Sequence, residues 1–221
     1  MKTYLLSYPR SGNTWVRYII EFLSKRPTKG YDNPDDIALG ARTDIGVDLD
    51  SDLIAIKSHR EIPNKSDLLV LVIRDYHEAV VRHAPGGLSS EQMIQHFVSR
   101  TSGYKRGSKT DYIGIIQDYD SFRGEKLLLY YEDLMTDPKP EVQKLIEFMG
   151  ISDEHLSSFF DNYDEHKGSS IKSYQDKSFT NGTDLKFHSS KFNTDCIESM
   201  TQHLKDNHLD IYSKYLTRYS R

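Results

Sequence analysis

Six consecutive aliphatic residues, Leu68-Leu69-Val70-Leu71-Val72-Ile73, set the tightest limit on what this chain can fold into. Successive side chains of a strand point to opposite faces, so an aliphatic run of strand length must be covered on both sides. The run is also far short of the roughly 20 apolar residues that a membrane-spanning helix takes. It predicts a central strand of a parallel sheet with helices packed on each face.

The rest of the chain supplies the remaining parts of that architecture. Residues 4–7 read as a strand. Residues 14–23 read as a helix, with Trp15, Tyr18, Ile19 and Phe22 at helical spacing. Residues 53–56 read as a second short strand and residues 127–131 as another buried one. Helices are expected near 76–81, 91–100 and 112–122. Asp137 and Pro138 supply an N-cap and a first-turn proline for a helix that runs to Met149 and ends at Gly150. A further helix is expected over 152–162. Residues 163–190 are polar and read as a long loop, a kind that in compact domains is mobile or functional. A last helix covers 194–208, with a shorter one to 215. The expected class is therefore α/β: three layers, a central parallel β-sheet flanked by helices, in one domain over residues 1–221.

Composition narrows the function classes. Aromatic residues make up 11% of the 221, too many for a disordered chain. The lone Cys196 rules out an internal disulfide and any cysteine-based zinc cluster. The 33 acidic residues outnumber the 29 basic ones, which excludes a globally basic nucleic-acid binder. The opening residues Met1 to Arg10 are too short and polar for a signal peptide, so a complete, cytoplasmic chain without membrane partner or Golgi anchor is expected. No His, Asp or Glu cluster has metal-ligand spacing, and no metal is expected.

Chemistry concentrates in four segments. Ser7-Tyr8-Pro9-Arg10-Ser11-Gly12-Asn13-Thr14-Trp15 lies between the first strand and the first helix. A loop there aims backbone N–H groups and a helix N-terminus at one spot, which suits a phosphate or sulfate. Gly12 allows close backbone approach, while Arg10, Ser11, Asn13 and Thr14 add side-chain donors. An ordinary βα turn is the plainer alternative. No Lys follows Gly12, so the G-x-x-x-x-G-K-[ST] loop of NTPases is not met. Arg74 follows the aliphatic run, at the carboxyl end of a buried strand where open α/β sheets bind ligands. Lys57-Ser58-His59 ends the second strand, and an imidazole there can serve as a base near neutral pH.

The segment Tyr8 to Trp15 resembles the 5′-phosphosulfate loop of the sulfotransferases, Tyr-Pro-Lys/Arg-Ser-Gly-Thr/Asn-Thr-Trp. The resemblance implies a sulfotransferase fold related to P-loop NTPases. It also implies transfer of a sulfuryl group from 3′-phosphoadenosine 5′-phosphosulfate (PAPS) to a hydroxyl or amine, leaving 3′,5′-adenosine bisphosphate (PAP). On it, Arg10 meets the bridging oxygen and sulfonate, Ser11, Gly12, Asn13 and Thr14 hold the 5′-phosphate, and Trp15 stacks on adenine. Arg74 matches the leading Arg of the family's 3′-phosphate motif, Arg-x-Pro-x-Asp-x-x-x-Ser. Tyr76, Glu78 and Arg82 stand at its Pro, Asp and Ser positions. An Arg at position 82 can still bind phosphate, and an i, i+4 salt bridge to Glu78 is the alternative. Lys57-Ser58-His59 resembles the family's Lys-Thr-His, which makes His59 the general base and Lys57 a partner of the sulfonate. Glu61 is the fallback base.

Residues 126–149 resemble the Tyr-Glu-Asp block and following helix of the family, with Tyr131 as an adenine contact. The likeness covers residues 3–150 well and the rest poorly. The family's late Arg-Lys-Gly and Gly-x-x-Gly-x-Trp-Lys segments are missing, leaving Lys186 and Lys191 as substitute cations or as parts of a solvated loop. The expected acceptor is a small molecule or carbohydrate. Segments 27–50, 83–110 and 163–190 are expected to shape its pocket, with 27–50 and the Pro85-Gly86-Gly87 turn as lids. Two other functions fit the same fold: an ATP-dependent small-molecule kinase, and a non-catalytic nucleotide-binding protein.

Overall fold

The computed structural model describes residues 3–31, 36–38, 45–59, 68–83, 89–98, 111–175 and 194–220. Five strands form one parallel sheet: β1 (Thr3–Ser7), β2 (Thr28–Gly30), β3 (Ala55–Ser58), β4 (Leu68–Ile73) and β5 (Glu125–Tyr130), in the order β2-β3-β1-β4-β5. The aliphatic run is β4, and none of its residues is more than 2% exposed. Its pleat divides two cores. Leu69, Leu71 and Ile73 pack with α2 (Tyr76–His83), α3 (Ser90–Val98), α4 (Tyr112–Ser121) and α9 (Thr194–Asn207). Val70 and Val72 pack with α1 (Asn13–Ser24), α6 (Pro138–Met149) and α7 (Leu156–Asp161). Burial of each such aliphatic side chain contributes about 1.5–3 kcal/mol.

Local sequence explains the element ends. Asp137 occupies the N-cap of α6 without a side-chain cap hydrogen bond, and Pro138 opens the helix. Gly150 closes it at φ 64°, its N–H turned back on the Ile146 and Glu147 carbonyls. The second expected strand starts two residues later than its aliphatic residues suggest, so Lys57 and Ser58 lie inside β3. Tyr131 opens a short helix, α5 (Tyr131–Thr136), rather than ending β5.

Two regions depart from the sequence reading. The expected lid over 27–50 contains the edge strand β2, paired in parallel with β3 through Thr28 and Ala55. The expected loop over 163–190 begins as a helix, α8 (Tyr163–Gln175). Its inward residues Tyr163, His166 and Ser170 have helical spacing, but none is aliphatic, so the pattern does not show as an apolar stripe. Pro85-Gly86-Gly87, Glu61, Lys186 and Lys191 lie outside the described residues.

The chain runs from β1 outward to β2 and β3 on one side, then crosses to β4 and β5 on the other. β1 is the point where direction reverses, so the carboxyl ends of β3, β1 and β4 open onto one crevice.

Candidate active site

The loop between Ser7 and α1, the expected anion loop, crosses that crevice. Arg10 (φ 71°) and Gly12 (φ 90°) both adopt left-handed backbone, which wraps the loop tightly around the helix start. Ser11 closes a turn onto the Tyr8 carbonyl at 3.2 Å, and Val16 makes the first helical bond to Gly12. The N–H groups of the first turn of α1 therefore face the crevice without intrahelical acceptors. The Ser11 hydroxyl is fully buried among them and has no hydrogen-bond partner among the described residues. A buried, unsatisfied hydroxyl is costly unless a ligand completes it, and an anionic oxygen would do so. Gly12 is required twice over: a Cβ there would meet the Tyr131 ring at 2.2 Å, in addition to the backbone strain.

On the β3 side, His59 donates from Nδ1 to the Ser7 carbonyl at 2.7 Å. A carbonyl can only accept, so the neutral ring carries its proton on Nδ1 and its lone pair on Nε2. Burial, followed by the nearby Lys57 ammonium, holds the His59 pKa well below its ordinary 6.5. The imidazole is thus neutral at pH 7. Asn13 donates to the Ser7 hydroxyl at 3.0 Å, tying the start of α1 to the same strand end.

Lys57 leads into a network that the sequence does not announce. Its Nζ lies 3.5 Å from Asp36 Oδ2, and the Arg17 guanidinium lies 2.9 Å from the same oxygen. Arg17 is 1% exposed and also donates to Thr28 Oγ1 at 2.6 Å. Thr28 in turn donates its hydroxyl and its N–H to the buried Glu21. Two carboxylates and one guanidinium thus lie under the crevice, mutually satisfied. Arg17 and Glu21 stand four apart on α1, as an ordinary surface pair would. Only the placement of Asp36 and Thr28 distinguishes them.

On the β4 side, Arg74 reaches toward the loop, donating to the Arg10 carbonyl at 3.2 Å. Its guanidinium lies 4.5 Å from the centre of the Tyr131 ring, the ring that rests on Gly12. Glu78 lies 3.5 Å from Arg74 and 2.9 Å from Arg82, so one carboxylate gathers both guanidinium groups. The i, i+4 bridge between Arg82 and Glu78 forms, and it brings Arg82 toward Arg74.

The structure therefore brings Arg10, Ser11, Gly12, Asn13, Thr14, His59, Arg74 and Tyr131 to one crevice. Lys57 and Arg82 border it through Asp36 and Glu78. Trp15 is set deeper: its ring stacks on Tyr18 at 5.7 Å and meets Tyr163 and Phe159, within the core below α1. Among the described residues, no three His, Cys, Asp or Glu side chains are grouped as metal ligands would be. No helix among them is long and apolar enough to cross a membrane.

Residues 91–217, more than half of the chain, match the family described as "Sulfotransferase domain". The match takes in Tyr131-Glu132-Asp133 and continues past residue 150, where the motif likeness fades. The loop Tyr8 to Trp15, His59 and Arg74 lie ahead of it. No curated protein matches the sequence. Among solved structures, a mouse sulfotransferase, SULT7A1, complexed with PAP is similar with a TM-score of 0.63 and 12% identity, over 99% of this chain and 87% of that one. Retinol dehydratase in complex with androsterone and inactive cofactor PAP gives 0.61 and 15%, over 93% and 80%. Retinol dehydratase with retinol and PAP gives 0.60 and 17%, over the same shares. At these identities the likeness is one of fold.

Proposed function

The chain belongs to the sulfotransferase family, enzymes of class EC 2.8.2, and from that premise we propose that it moves a sulfuryl group from PAPS to a small-molecule hydroxyl by in-line transfer. The observation that carries this reading is the buried Ser11 hydroxyl at the start of α1, lacking a partner among the described residues, in a loop whose Arg10 carbonyl accepts from Arg74. Those groups suit an anion of high charge. PAPS supplies the sulfuryl group and leaves as PAP.

The roles follow from placement. Ser11, Gly12, Asn13 and Thr14 hold the 5′-phosphate through N–H and hydroxyl donors. Arg10 and Lys57 bear the charge that grows on the leaving oxygen and the sulfonate. Arg74, with Arg82 gathered beside it by Glu78, takes the 3′-phosphate. His59 accepts the acceptor's proton at Nε2, and the Ser7 carbonyl holds its ring in the required tautomer. Tyr131 is the adenine-side aromatic, whereas Trp15, which the motif likeness put on the adenine, packs in the core against Tyr18, Phe159 and Tyr163 and only supports the start of α1 from below. The similar retinol dehydratase structures hold retinol and androsterone, both alcohols, which favours a hydroxyl acceptor here. The cytoplasm is our reading for its location.

Calorimetric titration with PAP, and separately with ATP and magnesium, tests the donor. The expected result is binding of PAP with no comparable heat from ATP. Preference for ATP would move the reading to phosphoryl transfer.

A further inference from the structure

The peptide unit joining Arg74 to Asp75, where β4 runs out, has both polar atoms held by side chains from distant elements. Its carbonyl accepts the Tyr112 hydroxyl of α4 at 2.6 Å. Its N–H donates to Glu132 of α5 at 2.9 Å. Glu132 is itself anchored, because its second oxygen accepts the Tyr219 hydroxyl at 2.7 Å. Tyr112 and Tyr219 are buried, so these bonds are shielded from water. A peptide group is planar. Holding its oxygen and its N–H from opposite sides therefore fixes that plane, and with it the direction in which Arg74 leaves the backbone.

We propose that Tyr112, Glu132 and Tyr219 clamp this peptide so as to aim Arg74 at the 3′-phosphate, making them positioning residues for nucleotide selectivity. The inference rests on the reading of Arg74 as the 3′-phosphate ligand. A guanidinium engages phosphate through two parallel N–H bonds, which demands a well-directed fork. Side-chain entropy works against that on a free strand end. The clamp removes the freedom at the backbone, while the Tyr131 ring and the Arg10 carbonyl limit it at the guanidinium. A segment remote in sequence, 212–220, is thereby tied to the nucleotide site through one carboxylate.

The test compares PAP with adenosine 5′-phosphate, which lacks only the 3′-phosphate. By calorimetry the wild type should bind PAP at least about tenfold more tightly, the increment of one charge-assisted contact. In Tyr219→Phe and Glu132→Gln that ratio should fall by about 3–10-fold through weaker PAP binding, with adenosine 5′-phosphate affinity unchanged. A purely structural role would lower the melting temperature and leave the ratio alone. Tyr219→Phe removes a single hydroxyl and decides the matter if Glu132→Gln does not fold. An unchanged ratio in folded Tyr219→Phe overturns the proposal. A wild type that fails to distinguish the two nucleotides overturns the reading of Arg74, and the clamp's purpose with it.

Discussion

His59 and Lys57 on the β3 side of the phosphate loop are held differently from Arg74 on the β4 side. The imidazole donates to the Ser7 carbonyl with the Ser7 hydroxyl 3.4 Å away, and the ammonium lies 3.5 Å from a carboxylate oxygen that Arg17 holds more closely. Arg74 is restrained at its own peptide by Tyr112 and Glu132, at its guanidinium by the Arg10 carbonyl, and across its face by Tyr131. The contrast fits a division of labour. Groups that bind an anion gain from being fixed in advance, since less ordering remains to be done on binding. Groups that take up a proton or follow a moving charge need a defined tautomer and some latitude.

The largest effect that can sharpen this contrast lies beneath Lys57. Asp36→Asn would leave the Arg17 guanidinium, 1% exposed, without its carboxylate, and should cost about 3–5 kcal/mol in urea unfolding. Lys57→Met, removing the more distant and partly exposed partner of the same oxygen, should cost under about 1 kcal/mol. Equal costs would mean that Lys57 is as tightly built in as the buried Arg17, and the contrast would fail.

Gly12 lies between the two sides. Gly12→Ala places a methyl group against the Tyr131 ring in a left-handed backbone. It should destabilise by about 1–3 kcal/mol and weaken PAP binding together, as read by denaturation and titration. Destabilisation with PAP affinity retained would show that Tyr131 does not help to shape the nucleotide site.

The smallest effect is in the pH dependence of stability. Burial lowers the pKa of both His59 and His166 from 6.5. Between those depressed values and 6.5 the unfolded chain binds more protons than the folded one, so stability rises with pH there and levels off above it. Melting curves should be flat from pH 7 upward and decline below about 6.5, by at most about 1.4 kcal/mol per pH unit for each histidine. His59→Gln should make the decline shallower. A decline of the same steepness in that variant would place the proton uptake elsewhere.

Most of the sheet was legible because a strand buried on both faces has no choice but to be aliphatic, as in β4. The edge strand β2 was not, since three residues with Lys29 at the centre carry no such constraint. Helix α8 stayed hidden because it packs a tyrosine and a histidine, rather than aliphatic residues, against the rings of Trp15, Tyr18 and Phe159. The site followed the same division. The phosphate loop, His59 and Arg74 are visible as residues at strand ends. Asp36, Glu132 and Tyr219 act through partners 19 to 87 positions away in sequence, and no local pattern marks them. Glu78 lay between, since its i, i+4 pair with Arg82 could be read while its grip on Arg74 needed the fold.

The division of labour itself is tested most directly by titrating PAP into the wild type, His59→Ala and Arg74→Ala under one set of conditions. Affinity should be equal in the wild type and His59→Ala, and should fall by about tenfold or more in Arg74→Ala. Undiminished binding in Arg74→Ala, or an equal loss in His59→Ala, would contradict it.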